Sequence, residues 1–167
     1  MQEQEKDVME RARHDAEQGK SASTQAGEFV REEMHHIREG KHGAQSPEQA
    51  IAIGLSKARR AGVQLPAPKR GKVSSRARAQ AERDLRVGRG HRRHKPSRGR
   101  SRSISLALRR EGRAAASRTR LSRHARGAAR RRGSQARHQS AMKAVRTKGR
   151  AGVKRAARKT ARTRRAD

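Results

Sequence analysis

The chain has 167 residues, of which 46 are Lys or Arg and 15 are Asp or Glu, giving a formal net charge of +31. Leu, Ile, Val and Phe together number 18, and so small a share beside so high a charge is a signature of disorder. This excludes a large enzyme core, and the absence of Cys excludes disulfides, thiolate nucleophiles and Cys-based metal sites.

The opening MQEQEKDVME is acidic and polar, unlike a secretory signal, and no run approaches the ~18 apolar residues of a membrane span. Trp and Tyr are absent and Phe29 is the only aromatic residue, which removes the stacking platform of single-stranded nucleic-acid binders. Charge divides the chain after Pro68: residues 1–68 carry 10 basic and 11 acidic residues, residues 69–167 carry 36 and 4. The expected fold is mostly α. A charged segment over 1–27 precedes a small two-helix module over 28–65, and a long, basic, largely disordered tail with short helical patches fills 66–167. The junction Leu65-Pro66-Ala67-Pro68 favours extended backbone.

In chain order, residues 1–18 predict a frayed charged helix, with Asp7 and Arg11 at i,i+4 and only Val8, Met9, Ala12 and Ala16 apolar. Lys20 to Gly27 reads as a loop. Glu28–Glu39 is an amphipathic helix: Val30, Met34 and Ile37 fall at i, i+4, i+7 with Phe29 beside them, and Gly40 is the stop. Ser46 is an N-cap, Pro47 takes the first helical position and Gln49 completes a capping box. This helix should reach Ala61, with Gly62 as its left-handed cap. Ala50, Gly54, Ala58 and Ala61 form a narrow stripe of small residues, flanked by Ile53 on one side and by Ile51 and Leu55 on the other, which permits close helix approach. The apolar arc spans about 200°, wider than one partner helix covers, so surface remains for a protein partner or a second copy. In the tail, Ser103 should cap a turn carrying Ile104 and Leu108. Ala114, Leu121, Ala125 and Ala128 form a thin stripe, and Met142 and Val145 mark a further piece ended by Gly149. Like charges at i,i+4, such as Arg126 and Arg130, oppose helix in water, so these patches should fold on binding phosphate.

Met34-His35, Gln49 to Ser56, Ala58-Arg59 and Ala61-Gly62, within residues 28–66, resemble a family of small bacterial proteins of unknown function with a Gln-Ala-Ile-Ala-Ile-(Ala or Gly)-Leu-Ser helix. That resemblance implies a bacterial origin and a domain boundary and carries no activity. The tail is similar in composition to bacterial linker-histone-like proteins, though richer in Arg than Lys.

The tail holds 29 Arg and 7 Lys. Such side chains neutralise phosphates and release counterions, an affinity without sequence preference, and Arg adds a bidentate fork. The densest cations are Arg89, Arg92, Arg93, Lys95, Arg98, Arg100 and Arg102, then Arg130, Arg131 and Arg132. The third group is Lys154, Arg155, Arg158, Lys159, Arg162, Arg164 and Arg165. Arg98 to Ser105 reads as a flexible linker rich in Arg and Ser. His35, His36 and His42 lie near Glu32 and Glu33, and Glu32-x-x-His35 places two donors on one helical face. With no second matching pair, no Cys and no HExxH, they read as polar surface residues, and no metal is expected. His91 and His94 flank Arg92-Arg93, whose charge repels a cation. Gly88-Arg89-Gly90 lacks the third glycine of a dinucleotide loop, no Walker motif occurs, and no rigid scaffold holds a catalytic set. Neither enzyme activity nor a cofactor is expected.

The resulting expectation is a non-enzymatic, nucleoid-associated protein of the bacterial cytoplasm that coats duplex DNA without membrane insertion. The alternatives are an RNA or ribosome-associated binder using the same charges, and an adaptor whose residues 28–65 recruit a protein partner. Val30, Met34, Ile37, Ala50, Ile51, Ile53, Gly54, Leu55 and Ala58 are the expected helix-packing residues.

Overall fold

The computed structural model describes residues 2–91 and 97–165, and within them the chain forms seven α-helices and one 3₁₀ turn. They are α1 (Gln2–Glu17), α2 (Ala22–Glu39), α3 (Pro47–Arg60), α4 (Ser75–Gly88), α5 (Arg98–Arg110), the 3₁₀ turn Arg113–Ala116, α6 (Arg118–Arg131) and α7 (Gly133–Arg165). Two compact units result, Met1–Leu121 and Ser122–Asp167.

In the first unit α3 is central. Its N-terminus is capped as the sequence dictates: Ser46 Oγ accepts from the Gln49 amide at 3.2 Å. The Gln49 side chain reaches back one residue further than in the usual box, accepting from the Gln45 amide at 2.7 Å. The helix ends in a Schellman arrangement, with Gly62 at φ +100° and the Val63 amide donating to Ala58 C=O at 3.1 Å. α2 crosses α3 at Gly54, where an added Cβ would lie 2.7 Å from Val30 Cα. Only glycine lets these backbones approach so closely. Of the small-residue stripe, Ala50, Gly54 and Ala58 are buried, and Ala61 is exposed.

The core has two parts. One joins Val8 and Ala12 of α1 to Ala26 and Phe29 of α2, Ala58 of α3, and Val63. The other joins Met34 and Ile37 of α2 to Ala44, Ala50, Ala115 and Ala116, with Val30, Ile51 and Leu121 packed against it. Ile53 and Leu55 are half-buried.

Several expectations are corrected here. The two helices do not stand alone, because α1, α4 and the 3₁₀ turn also pack on them. α1 is seated rather than frayed: Val8 and Ala12, one turn apart, are buried, and Arg11 Nε bonds Glu28 Oε2 of α2 at 3.0 Å. The expected loop Lys20 to Gly27 contains the first turns of α2. The wide arc of α3 is covered within the chain, by α2, α4 and the 3₁₀ turn. α4 docks through Ala81, Asp84 and Gly88, at i, i+3, i+7. Ala81 and Asp84 are buried, and a Cβ on Gly88 would meet Arg59 C=O at 2.0 Å. Asp84 accepts from Ser56 Oγ at 2.6 Å and from Gln80 Nε2 at 3.0 Å. Arg59 is buried and donates to Leu65 C=O at 3.1 Å and Pro66 C=O at 3.4 Å, which ties the Pro-rich junction to α3.

The long disordered tail is not found: residues of 66–167 form four helices and the 3₁₀ turn among the described residues. Three physical causes favour helix here. Ala, Arg, Lys and Gln are strong helix formers. Ser74, Ser97 and Ser117 each accept a backbone N–H three residues on, from Ala77, Arg100 and Arg120. The arginines of α5 and α6 are exposed, so water screens the repulsion expected between them. Ser103 is accordingly not a cap; it lies inside α5 and donates to Gly99 C=O at 3.0 Å. The Arg-Ser tract expected as a linker is α5 itself. Part of this basic half even completes the core. Ala115 and Ala116 are buried against α2 and α3, and Arg38 Nε donates to Ala116 C=O at 3.0 Å. The Gly43 and Ala44 amides bond Leu108 and Gly112 C=O at 2.8 and 3.2 Å.

In the second unit α6 turns into α7 at Gly133, φ +75°, and Arg137 reaches Ala129 C=O at 3.5 Å. α7 is two helical segments meeting at Gly149, whose φ 69°, ψ 162° is not helical. No helix of the described residues is long and apolar enough to cross a membrane.

Candidate nucleic-acid interface and a buried histidine–glutamate cluster

Helical geometry sorts the cations onto faces. At about 100° per residue, Arg120, Arg123, Arg126 and Arg130 of α6 share one side, opposite Leu121, Ala125 and Ala128. On the second segment of α7, Lys154, Arg155, Arg158, Lys159 and Arg162 fall on one arc, opposite Val153, Ala157 and Thr160. All nine cations are exposed, and neither helix carries an acidic residue. Arg130, Arg131 and Arg132 are exposed where α6 gives way to α7. Arg98, Arg100 and Arg102 project from α5, in the first unit, beside exposed Ile104 and Leu106. Arg89 follows α4, exposed, with Nε on Gln64 Oε1 at 3.0 Å. Arg92, Arg93, Lys95 and His94 lie outside the described residues, as do the side chains of Arg164 and Arg165. The one aromatic side chain, Phe29, is buried in the core and offers no face for a base to stack on.

The first unit holds a polar cluster of a different kind. Glu33 is 0% exposed. Its Oε2 pairs with Lys57 Nζ of α3 at 2.7 Å and its Oε1 with His42 Nε2 at 3.1 Å. His36, one turn along α2, is also buried, with Nε2 3.8 Å from Glu32 Oε1. The His36 and His42 rings meet edge to face with centroids 6.3 Å apart. Burial first, then the charges of Lys57 and Lys41, hold the His36 pKa below its ordinary value of 6.5, against the pull of Glu33. Glu33, His36 and His42 each present a donor atom within 4.8 Å of the other two.

The expectation of surface histidines therefore holds for His35, which is exposed and pairs with Glu39 at 2.9 Å, and fails for His36. The inward pair is Glu33-x-x-His36, not Glu32-x-x-His35. One signal was present: Phe29, Glu33 and Ile37 stand at i, i+4, i+8, so the periodicity that buries the apolar residues buries Glu33 between them.

Residues 6–70 match the model of a family of unknown function (DUF6496). The match takes in α1 from its residue 6 onward, α2, α3 and the buried cluster, ends before α4, and covers well under half of the chain. Neither a curated protein nor a solved structure matches the chain.

Proposed function

We propose that this protein is a non-enzymatic binder of duplex DNA, largely indifferent to sequence, acting at the bacterial nucleoid in the manner that its likeness in composition to linker-histone-like proteins suggests. The supporting observation is the pair of exposed cationic faces on α6 and α7, with no carboxylate on either helix. A rod of arginines presents bidentate forks to phosphate and releases counterions from the duplex. With Phe29 buried, duplex is favoured over single strands. The helices stand ready-made, so binding need not be coupled to ordering them.

The test is a salt titration of the full chain on unrelated duplexes and on structured RNA. Log affinity should fall with log salt at a slope near −0.9 per phosphate contacted. Changing Arg130, Arg131 and Arg132 to Gln should flatten that slope by up to about 2.7, and should weaken all duplexes alike. Tighter binding to RNA at equal salt, loss on one duplex sequence only, or a slope near zero would refute the proposal.

A further inference from the structure

We propose that Glu33, His36 and His42 form a binding site for a divalent transition-metal ion of the zinc class. Two imidazoles converge on one carboxylate, and all three donor atoms already lie within 4.8 Å of one another. Tetrahedral zinc with ligands at ~2.0–2.1 Å needs donors about 3.4 Å apart. Side-chain rotations of about an ångström close that gap. The carboxylate is split as a ligating one should be. Lys57 holds Oε2 at 2.7 Å, an outer-sphere partner that fixes the orientation, and Oε1 is left toward His42 at 3.1 Å. Lys57 and Lys41 oppose a dication, and the adjacent carboxylates of Glu32 and Glu33 offset them. Burial favours the neutral imidazole of His36, which is the ligating form. Imidazole donors select zinc, cobalt or nickel over magnesium and calcium.

The placement gives the ion a structural consequence. Glu33 and His36 are on α2, whereas His42 lies in the connection beyond Gly40, and that connection bonds Leu108 and Gly112. A bound ion clamps the connection to α2, and through it the 108–116 segment.

Co²⁺ is the probe, titrated into the full chain in phosphate-free buffer and followed by its visible ligand-field bands, with Zn²⁺ as competitor. One ion should bind per chain. His36→Ala should weaken binding at least about tenfold. His42→Asn, in the connection and away from the apolar core, should do the same without loss of helix by circular dichroism. His35→Ala, on the exposed face, should leave it unchanged. Zn²⁺ should also slow amide exchange over residues 41–45 and 108–116. The proposal is overturned by the absence of saturable one-to-one binding, by undiminished affinity in His42→Asn, or by an equal loss in His35→Ala.

Discussion

Replacing Gly54 with Ala tests the packing of α2 on α3 against helix propensity, because the two effects have opposite signs. In a helix interior Ala is favoured over Gly by about 1 kcal/mol. At Gly54, however, the new Cβ would stand 2.7 Å from Val30 Cα and 3.0 Å from Val30 N and Cγ2. The first distance is about 0.7 Å short of ordinary contact. Backbone atoms cannot swing away, so the helices must part, loosening the contacts of Ala50 and Ala58. Overpacking of this kind costs about 1–3 kcal/mol, so the net effect is a loss of up to about 2 kcal/mol. Gly27 of α2 is the internal control: it has nothing within 4 Å of an added Cβ, and Gly27→Ala should gain up to about 1 kcal/mol. The chain has no Trp or Tyr, and far-ultraviolet circular dichroism sums both units, so native-state amide exchange of α2 and α3 is the assay. Gly54→Ala should quicken that exchange and Gly27→Ala should slow it. Equal slowing in both variants would refute the close helix crossing.

Asp84→Ala removes the acceptor buried between α3 and α4 and strands Ser56 Oγ, so α4 should detach more readily by about 2 kcal/mol. Its amides should exchange about thirtyfold faster; an unchanged rate would mean that Ala81 and Gly88 alone hold the helix. Stability of the first unit should also fall with acidity through His36, when measured with a chelator present. The folded-state pKa of His36 is lowered from 6.5, so the unfolded chain binds its proton more readily, and stability rises with pH. The loss should begin as pH drops below about 6.5 and run down to the depressed folded value. His36→Gln should remove that component. An identical pH profile in the variant would exclude His36 as the sensor.

What could be read from the sequence follows from which forces leave a local trace. The α3 boundaries were legible because Ser46, Pro47, Gln49 and Gly62 act within a few residues of themselves. The inward faces of Val30, Met34, Ile37 and Ala50 were legible from periodicity alone. The order of the tail is not legible from composition, because the composition rule weighs large apolar side chains, whereas this fold buries small ones. Ala81, Ala115 and Ala116 contribute little area each, yet they let backbones approach, as Gly43 does where a Cβ would meet Glu111 C=O at 1.9 Å. Nothing local in Ala114-Ala115-Ala116 distinguishes a plug for the α2–α3 cleft from any other alanine run; its role depends on residues some 70 positions upstream.

The same distinction explains why charge was legible in kind and not in arrangement. Counting cations gives the charge of the chain, but whether they form a diffuse cloud or ordered faces depends on secondary structure. Repulsion between Arg126 and Arg130 is worth only a few tenths of a kcal/mol at exposed i,i+4 spacing, less than the serine caps and alanine-rich propensity supply. Helix therefore wins, and once it does, residues three and four apart line up. On the proposed function, that repulsion is what a bound polyanion would relieve: Lys154, Arg158 and Arg162 lie one turn apart along one face, about 6 Å between neighbours. Phosphates along one DNA strand are separated by a similar distance, since each strand carries one charge per 3.4 Å of axis while winding around it. On the proposed function, a helix so charged would meet the DNA backbone without choosing a base, and the affinity would reside in the spacing rather than in any single arginine.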